Sequence, residues 1–494
     1  MNEENCFPEI AESLASQNEW LLVHSLGNAF PLLRDEIELT IERGKILFGF
    51  TDDKGFQTWR VADYKIERGK LTLDLTRNFG RTRQRIRLVP RVSAAELSQA
   101  VELARLEKAN RIAGLIVAKY PKSKLVRVAL NEENGRFAQI IFEHSNRIQT
   151  AVLSDVAEHA APENLLTTAI LWSVKLQNRR KKPINTIWIL AETKLYKNLR
   201  KLHALLDKNW QSKVLVKEIS RRAETQTAEI RDEPPIVFEN LCREKPSPIA
   251  MAESLETSRI ADEIIKLAPE KTDALFAKHG ETLRFFGLPF ARVRRIGNAE
   301  KVWFGTERER RILNETTRAE FYDLLENLET YRRFDSPNKR HDYFRLAPEA
   351  WLEAVLRRNI NLLDGNLILS PIYNQFRAAG DRIDLLALRK DGRLIVIELK
   401  TAPDREMIFQ AADYWRKIEL QRRSGNLRRA KIFGDLEIAD APSVVYLVAP
   451  TLSFHRDFAF LSKTVSPKIE IYRFDLNENW RENLKVMKVS KVEK

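Results

Sequence analysis

The feature that most constrains this chain is the seven-residue run Leu394-Ile-Val-Ile-Glu-Leu-Lys400. It is strongly β-forming, and it places a carboxylate and an ammonium two positions apart, so on a strand both point to one face. Charged groups at the end of an otherwise buried strand are costly unless they are paired or bound to a cation. The segment before it, Arg382-Ile-Asp384-Leu-Leu-Ala-Leu, sets Asp384 among apolar neighbours in the same manner. Asp391-Gly392 between the two segments supplies a turn. Two buried carboxylates brought together repel each other, and a divalent cation between them removes the repulsion. The bland alternative for Asp384, Glu398 and Lys400 is a structural ion pair at a strand end.

The surrounding pattern predicts an α/β region over 346–494 with a mixed sheet. Pro348 opens a helix running to about Asn359. Strands follow at Leu367–Phe376, Ile383–Leu388 and Leu394–Lys400, then a long helix, Arg405–Arg423, that ends at Gly425. Further strands fall at Val444–Val448 and Lys468–Phe474. The predicted order is α-β-β-β-α-β-(α)-β.

Gly380-Asp-Arg-Ile-Asp384, a turn, and then Ile397-Glu398-Leu399-Lys400 resemble the D…ExK signature of the PD-(D/E)xK superfamily, the restriction-endonuclease-like phosphodiesterases. The element order resembles that family's αβββαβ core. The next helix carries Gln410-x-x-x-Tyr414, similar to the QxxxY motif of RecB-type nucleases, and residues four apart share a helix face. The match covers roughly 350–475. It departs from the family pattern at Ile383, where a proline would stand, and Asp381 is a competing acid on the opposite strand face.

The resemblance implies metal-assisted phosphodiester hydrolysis, with Asp384, Glu398, Lys400 and Glu353 as catalytic residues. Asp384, Glu398 and the Leu399 carbonyl would hold Mg2+, for which Mn2+ can substitute. Lys400 would orient a water or stabilise charge on phosphorus. Gln410 and Tyr414, with Arg405, Arg416 and Lys417, would contact the nucleic-acid backbone. For Gln410 and Tyr414 the alternative is ordinary helix packing, since Ile408, Ala411, Trp415 and Ile418 form an apolar stripe on the same helix. A second function class stays open: a catalytically silent nucleic-acid-binding protein that keeps the fold.

The rest of the chain divides into three regions. Residues 1–91 read as a β-rich N-terminal domain, with alternation at Ile37, Leu39 and Ile41 and again at Leu71, Leu73 and Leu75. There Arg81, Arg83, Arg85 and Arg87 share a strand face, either as a solvated outer face or as a row of phosphate-binding forks. Residues 92–220 read as an α/β domain in nearly the same element order as the C-terminal one. That is either a generic α/β domain or a degenerate nuclease-like repeat, whose third strand, Ile148–Leu153, has no ExK. Residues 221–345 read as a proline-marked linker and a mixed α/β region with a hairpin near Gly297-Asn298 and a charged helix at Thr317–Arg333.

Composition narrows the partners. The chain has 494 residues and a net charge of +14, a balance that favours polyanions, and the resemblance implies DNA ahead of RNA. Cys6 and Cys242 are its only cysteines, far apart and outside any CxxC, which excludes a cysteine-based zinc site or an iron–sulfur cluster within one chain. No segment offers the about 20 uninterrupted apolar residues a membrane span needs. The opening Met-Asn-Glu-Glu-Asn lacks a signal pattern. The expectation is a cytoplasmic protein without a membrane partner.

Overall fold

A computed structural model describes residues 3–493 except 25–28, 53–54, 68, 78–79, 81, 92–93, 158–159, 179–181, 222–227, 245, 247–248, 250–255, 278–279, 297–298, 307–309 and 371–383. Residues 1–197 and 213–233 make one compact unit, and residues 198–212 and 234–494 make the other. Among the described residues four sheets carry the architecture, two in each unit, and the protein is a multidomain α/β chain.

The first sheet has seven antiparallel strands between Glu19 and Pro90. Leu71, Leu73 and Leu75 are buried on one face, where Ile10 and Leu14 of the Glu3–Ala15 helix pack on them. On the other face Arg83, Arg85 and Arg87 are exposed, and Arg85 forks onto Asp74 at 2.6 and 2.7 Å. Arg81 lies outside the described residues.

The second sheet begins after a helix, Ala94–Lys119. Strands Lys124–Leu130, Phe137–Glu143 and Gln149–Asp155 run antiparallel to one another. A helix, Pro162–Gln177, crosses to Ile187–Glu192 and then Val214–Arg221, both parallel to the third strand. A short strand, Ala228–Arg231, returns antiparallel at the edge. The sheet therefore runs past residue 220, the boundary expected from sequence. Four residues, Ala-Glu-Ile-Arg, are too few to carry an alternation.

In the second unit, five antiparallel strands between Thr272 and Ile312 form a meander. The hairpin expected near Gly297-Asn298 has its strands at Leu288–Ile296 and Ala299–Phe304, and the turn itself is outside the described residues. One face packs on helices Arg259–Ile265 and Arg318–Tyr331 through Leu283, Phe285, Val293 and Phe304.

The last sheet repeats the plan of the second. Helix Pro348–Arg358 precedes antiparallel strands Leu367–Leu369, Leu385–Arg389 and Leu394–Leu399. Helix Met407–Arg423 then crosses to the parallel strands Val444–Pro450 and Glu470–Leu476, and Val486–Lys491 returns antiparallel. The Leu367 strand ends at Leu369, and residues 371–376 of its expected length lie outside the described residues, as do Asp381 and Ile383.

The meander is fitted closely to this last region. Gly287 sits at φ +78°, and a Cβ there would meet the Ala350 carbonyl oxygen at 1.9 Å, so only glycine fits. Phe286 stacks on Trp351 at 5.3 Å, and buried Arg332 donates to the carbonyls of Phe285, Tyr343 and Leu346.

Candidate active site

The Leu394–Leu399 strand is buried at every position because it lies between an antiparallel and a parallel neighbour, with helix Met407–Arg423 packed on it. Its sequence is accordingly a near-continuous apolar run, broken by Glu398. Leu385 pairs with Ile397, so Asp384, one residue further out, comes level with Glu398. The Asp384 Oδ2 accepts a hydrogen bond from the Leu399 N–H at 2.9 Å, which fixes its carboxylate beside the strand end.

Glu398 is only 2% exposed and Lys400 9%. The Lys400 Nζ lies 3.1 Å from Glu398 Oε1 and 3.2 Å from Asp404 Oδ2. Glu398 Oε2 is buried without a hydrogen-bond partner. Burial drives the Glu398 carboxyl well above the usual carboxylate range, Asp384 and Glu349 push the same way, and Lys400 opposes them. Burial alone would lower the Lys400 ammonium, but the charges of Glu398, Asp404 and Glu349 outweigh it and raise it. The pair is thus unequal: the lysine holds its proton, while the glutamate is pushed toward its neutral form and its Oε2 has no hydrogen-bond partner. An orphaned, desolvated carboxylate oxygen beside a second carboxylate is a donor set that fits a hard divalent cation.

Among the described residues no three His, Cys, Asp or Glu side chains are arranged to close round a metal ion. The donor set from sequence, two carboxylates and the Leu399 carbonyl, would leave the remaining positions to water, as magnesium commonly does.

Glu353 lies on helix Pro348–Arg358. It is 3% exposed, and its Oε1 accepts from Arg284 of the meander at 3.3 Å, with Arg357 at 3.9 Å. Its charge is spent on a buried ion pair that ties the meander to the helix. The acid of that helix whose charge acts on Glu398 and Lys400 is Glu349, one turn earlier. Sequence alone shows two acids one turn apart on a helix, and the residue that separates their roles, Arg284, lies 69 positions from Glu353. Glu349 also sits in the first turn after Pro348, where an acidic residue is expected for the helix dipole alone. Asp404 is a second residue the sequence did not single out. It caps the Glu406 N–H at 2.6 Å, so in sequence it passes for a turn residue.

On helix Met407–Arg423, Gln410 Oε1 is buried without a partner, and Tyr414 follows four positions later, half-buried. Lys417 lies 2.6 Å from Asp413, which Arg416 also grips at 2.7 Å. Burial would raise the Asp413 carboxyl, yet these two cations hold it below the usual range. Arg405 donates to His455 Nε2 at 3.2 Å and lies 3.5 Å from Asp457. All three cations expected to face the nucleic acid, Arg405, Arg416 and Lys417, are therefore engaged in local pairs, whereas Asp384, Glu398 and Lys400 are brought together.

No family model matches the chain, and no curated protein matches it. Among solved structures it is similar to that of EndoMS in its apo form, at 10% identity and a TM-score of 0.17, over 44% of this chain and 95% of that one. A likeness at that TM-score carries no weight for fold or function, and the chemistry must be read from the site.

Proposed function

We propose that residues 346–494 form a restriction-endonuclease-like, metal-dependent phosphodiesterase that cleaves nucleic acid, DNA in preference to RNA. The observation that carries this is the orphaned, buried Glu398 oxygen at a strand end shared with Asp384 and Lys400. A merely structural ion pair would leave both glutamate oxygens satisfied.

Asp384 and Glu398, with the Leu399 carbonyl, would hold Mg2+, and Mn2+ would serve in its place. Such a cation supplies Lewis acidity toward a phosphoryl oxygen and lowers the pKa of a bound water. Lys400 keeps its proton under the charges of Glu398 and Asp404, and so presents a fixed cation to charge developing on the scissile phosphate. Asp404, 3.2 Å from that ammonium, would hold it in place as a positioning residue. Gln410 would donate from its side-chain amide nitrogen, and Tyr414 from its hydroxyl, to the substrate backbone. Residues 92–233 would be a degenerate copy of the same fold.

The test is cleavage of supercoiled plasmid, linear duplex and single strands with Mg2+ or Mn2+, comparing wild type, Asp384→Ala and Lys400→Ala. Metal-dependent cutting lost in both variants is the expected result. Absence of cutting by folded wild-type protein on every substrate sinks the proposal.

A further inference from the structure

The five-stranded meander offers a second functional surface. Its inner face is closed by Leu283, Ala291, Val293, Val302 and Phe304. Residues directly opposite on antiparallel strands share a face. Arg292 lies opposite Trp303, Arg294 lies opposite Lys301, and the two arginines are two positions apart on one strand. Arg310 stands just before the Arg311–Ile312 strand that pairs with Phe304 and Trp303, close enough for the charges of Arg292 and Arg294 to act on it. Burial, and then the charges of Arg292 and Arg294 among the described residues, lower the affinity of Arg310 for a proton.

This is a poor arrangement for an isolated sheet. Like charges placed directly across a strand pair are destabilising, and here Arg294 faces Lys301. None of Arg292, Arg294, Lys301 and Arg310 has an ion-pair partner among the described residues. The Arg292 Nε is in addition buried without a hydrogen-bond acceptor. The first sheet handles its arginine row differently, with Arg85 forked onto Asp74. A solvated ornamental face would be expected to follow that pattern of compensation.

We propose that the outer face of the meander, centred on Arg292, Arg294, Lys301 and Arg310, binds the phosphodiester backbone of a nucleic acid. Phosphates are the anions that relieve a row of uncompensated cations, and guanidinium forks match them in geometry. The face is also held in register with the catalytic region. Arg284, on the neighbouring strand, reaches Glu353 on the helix whose first turn carries Glu349. Only the identity of the polyanion rests on the phosphodiesterase proposal.

The experiment measures binding of the full chain to fluorescent single-stranded and duplex DNA in EDTA, so that cleavage plays no part, across a salt series. Arg292→Ala/Arg294→Ala should weaken binding roughly tenfold or more and reduce the log–log salt slope by about 1.8 on duplex or about 1.4 on single strands, as expected for two lost phosphate contacts. Arg292→Lys/Arg294→Lys, which keeps the charge, should retain most of the slope. Lys301→Glu, at an exposed position, should weaken binding without touching a buried group. Wild-type affinity and slope in both the double alanine variant and Lys301→Glu overturn the proposal. So does weaker binding with an unchanged slope, which would mark a structural effect. Wild-type protein that binds heparin or anionic vesicles and neither DNA also overturns it. If the phosphodiesterase proposal alone is wrong, cleavage is absent while this binding pattern persists.

Discussion

Residues 94–231 and 348–491 are folded on one plan. Each has a helix, three antiparallel strands, a crossover helix, two strands parallel to the third, and an antiparallel edge strand, with the six strands in the same consecutive order. The penultimate residue of the third strand is Glu398 in one and Ser154 in the other. Two positions on stand Lys400 and Val156, and across the ladder stand Asp384 and Ala138. On the crossover helix the fourth residue and the one four later are Gln410 and Tyr414 in one copy, Leu165 and Ala169 in the other. Ser154 satisfies itself by donating to the Leu190 carbonyl at 2.8 Å, and Val156, Ala138, Leu165 and Ala169 are fully buried. The apolar pattern that specifies the plan is common to both regions, and the chemistry is a handful of polar residues added to one. Two of those residues carry a buried oxygen without a hydrogen-bond partner, Glu398 Oε2 and Gln410 Oε1, as the proposed site would if it gives up stability for function.

The largest expected difference between the copies is catalytic. Lys400→Ala or Asp384→Ala should lower cleavage by about 100-fold or more, whereas Ser154→Ala should leave it within about twofold, read as initial rates on one substrate. A comparable loss from Ser154→Ala would mean that the middle region is not silent.

Next comes stability without metal. Glu398→Gln removes a buried, unsatisfied charge, so thermal or urea unfolding in EDTA should show stabilisation by about 1–3 kcal/mol. Saturating Mg2+ should stabilise the wild type by about 2–3 kcal/mol at a hundredfold excess over Kd and leave Glu398→Gln unmoved. A destabilised Glu398→Gln protein would instead mark the glutamate as structural.

The pH dependence follows from the same group. Glu398 in the folded protein titrates above its ordinary value of 4.5, so between the two values the native state binds more protons than the unfolded one. Stability of the metal-free wild type should therefore fall as pH rises from about 4.5 upward through the raised value, and Glu398→Gln should flatten that slope. Urea midpoints measured in EDTA at several pH values would show it.

The smallest effect is expected at Gln410. Gln410→Ala should slow cleavage about tenfold by loosening substrate placement, with little change in unfolding midpoint. An equal loss from Ile418→Val, on the packing stripe of the same helix, would reduce Gln410 to a packing residue.

Much of this was legible in the sequence where a single period dominated. Leu71, Leu73 and Leu75 announced a half-buried strand, Asp391-Gly392 a turn, and Leu394–Lys400 a central strand ending in charge. The acids of helix Pro348–Arg358 were not separable, because the ion pair of Glu353 with Arg284 and the effect of Glu349's charge on Glu398 exist only in the folded chain. The compensation of Lys417 by Asp413 and of Arg405 by Asp457 was equally hidden, since a charge says nothing of its partner until the chain is folded. The cationic face of the meander escaped for a related reason. Arg292, Arg294, Lys301 and Arg310 are spread over three strands, and only the ladder gathers them.

The most direct test of the central claim is a calorimetric titration of Mn2+ into the wild-type chain and its Glu398→Gln and Ser154→Ala variants. The account predicts saturable binding by wild type and Ser154→Ala, with loss in Glu398→Gln. Equal binding by Glu398→Gln, or none by folded wild type with or without bound DNA, would contradict it.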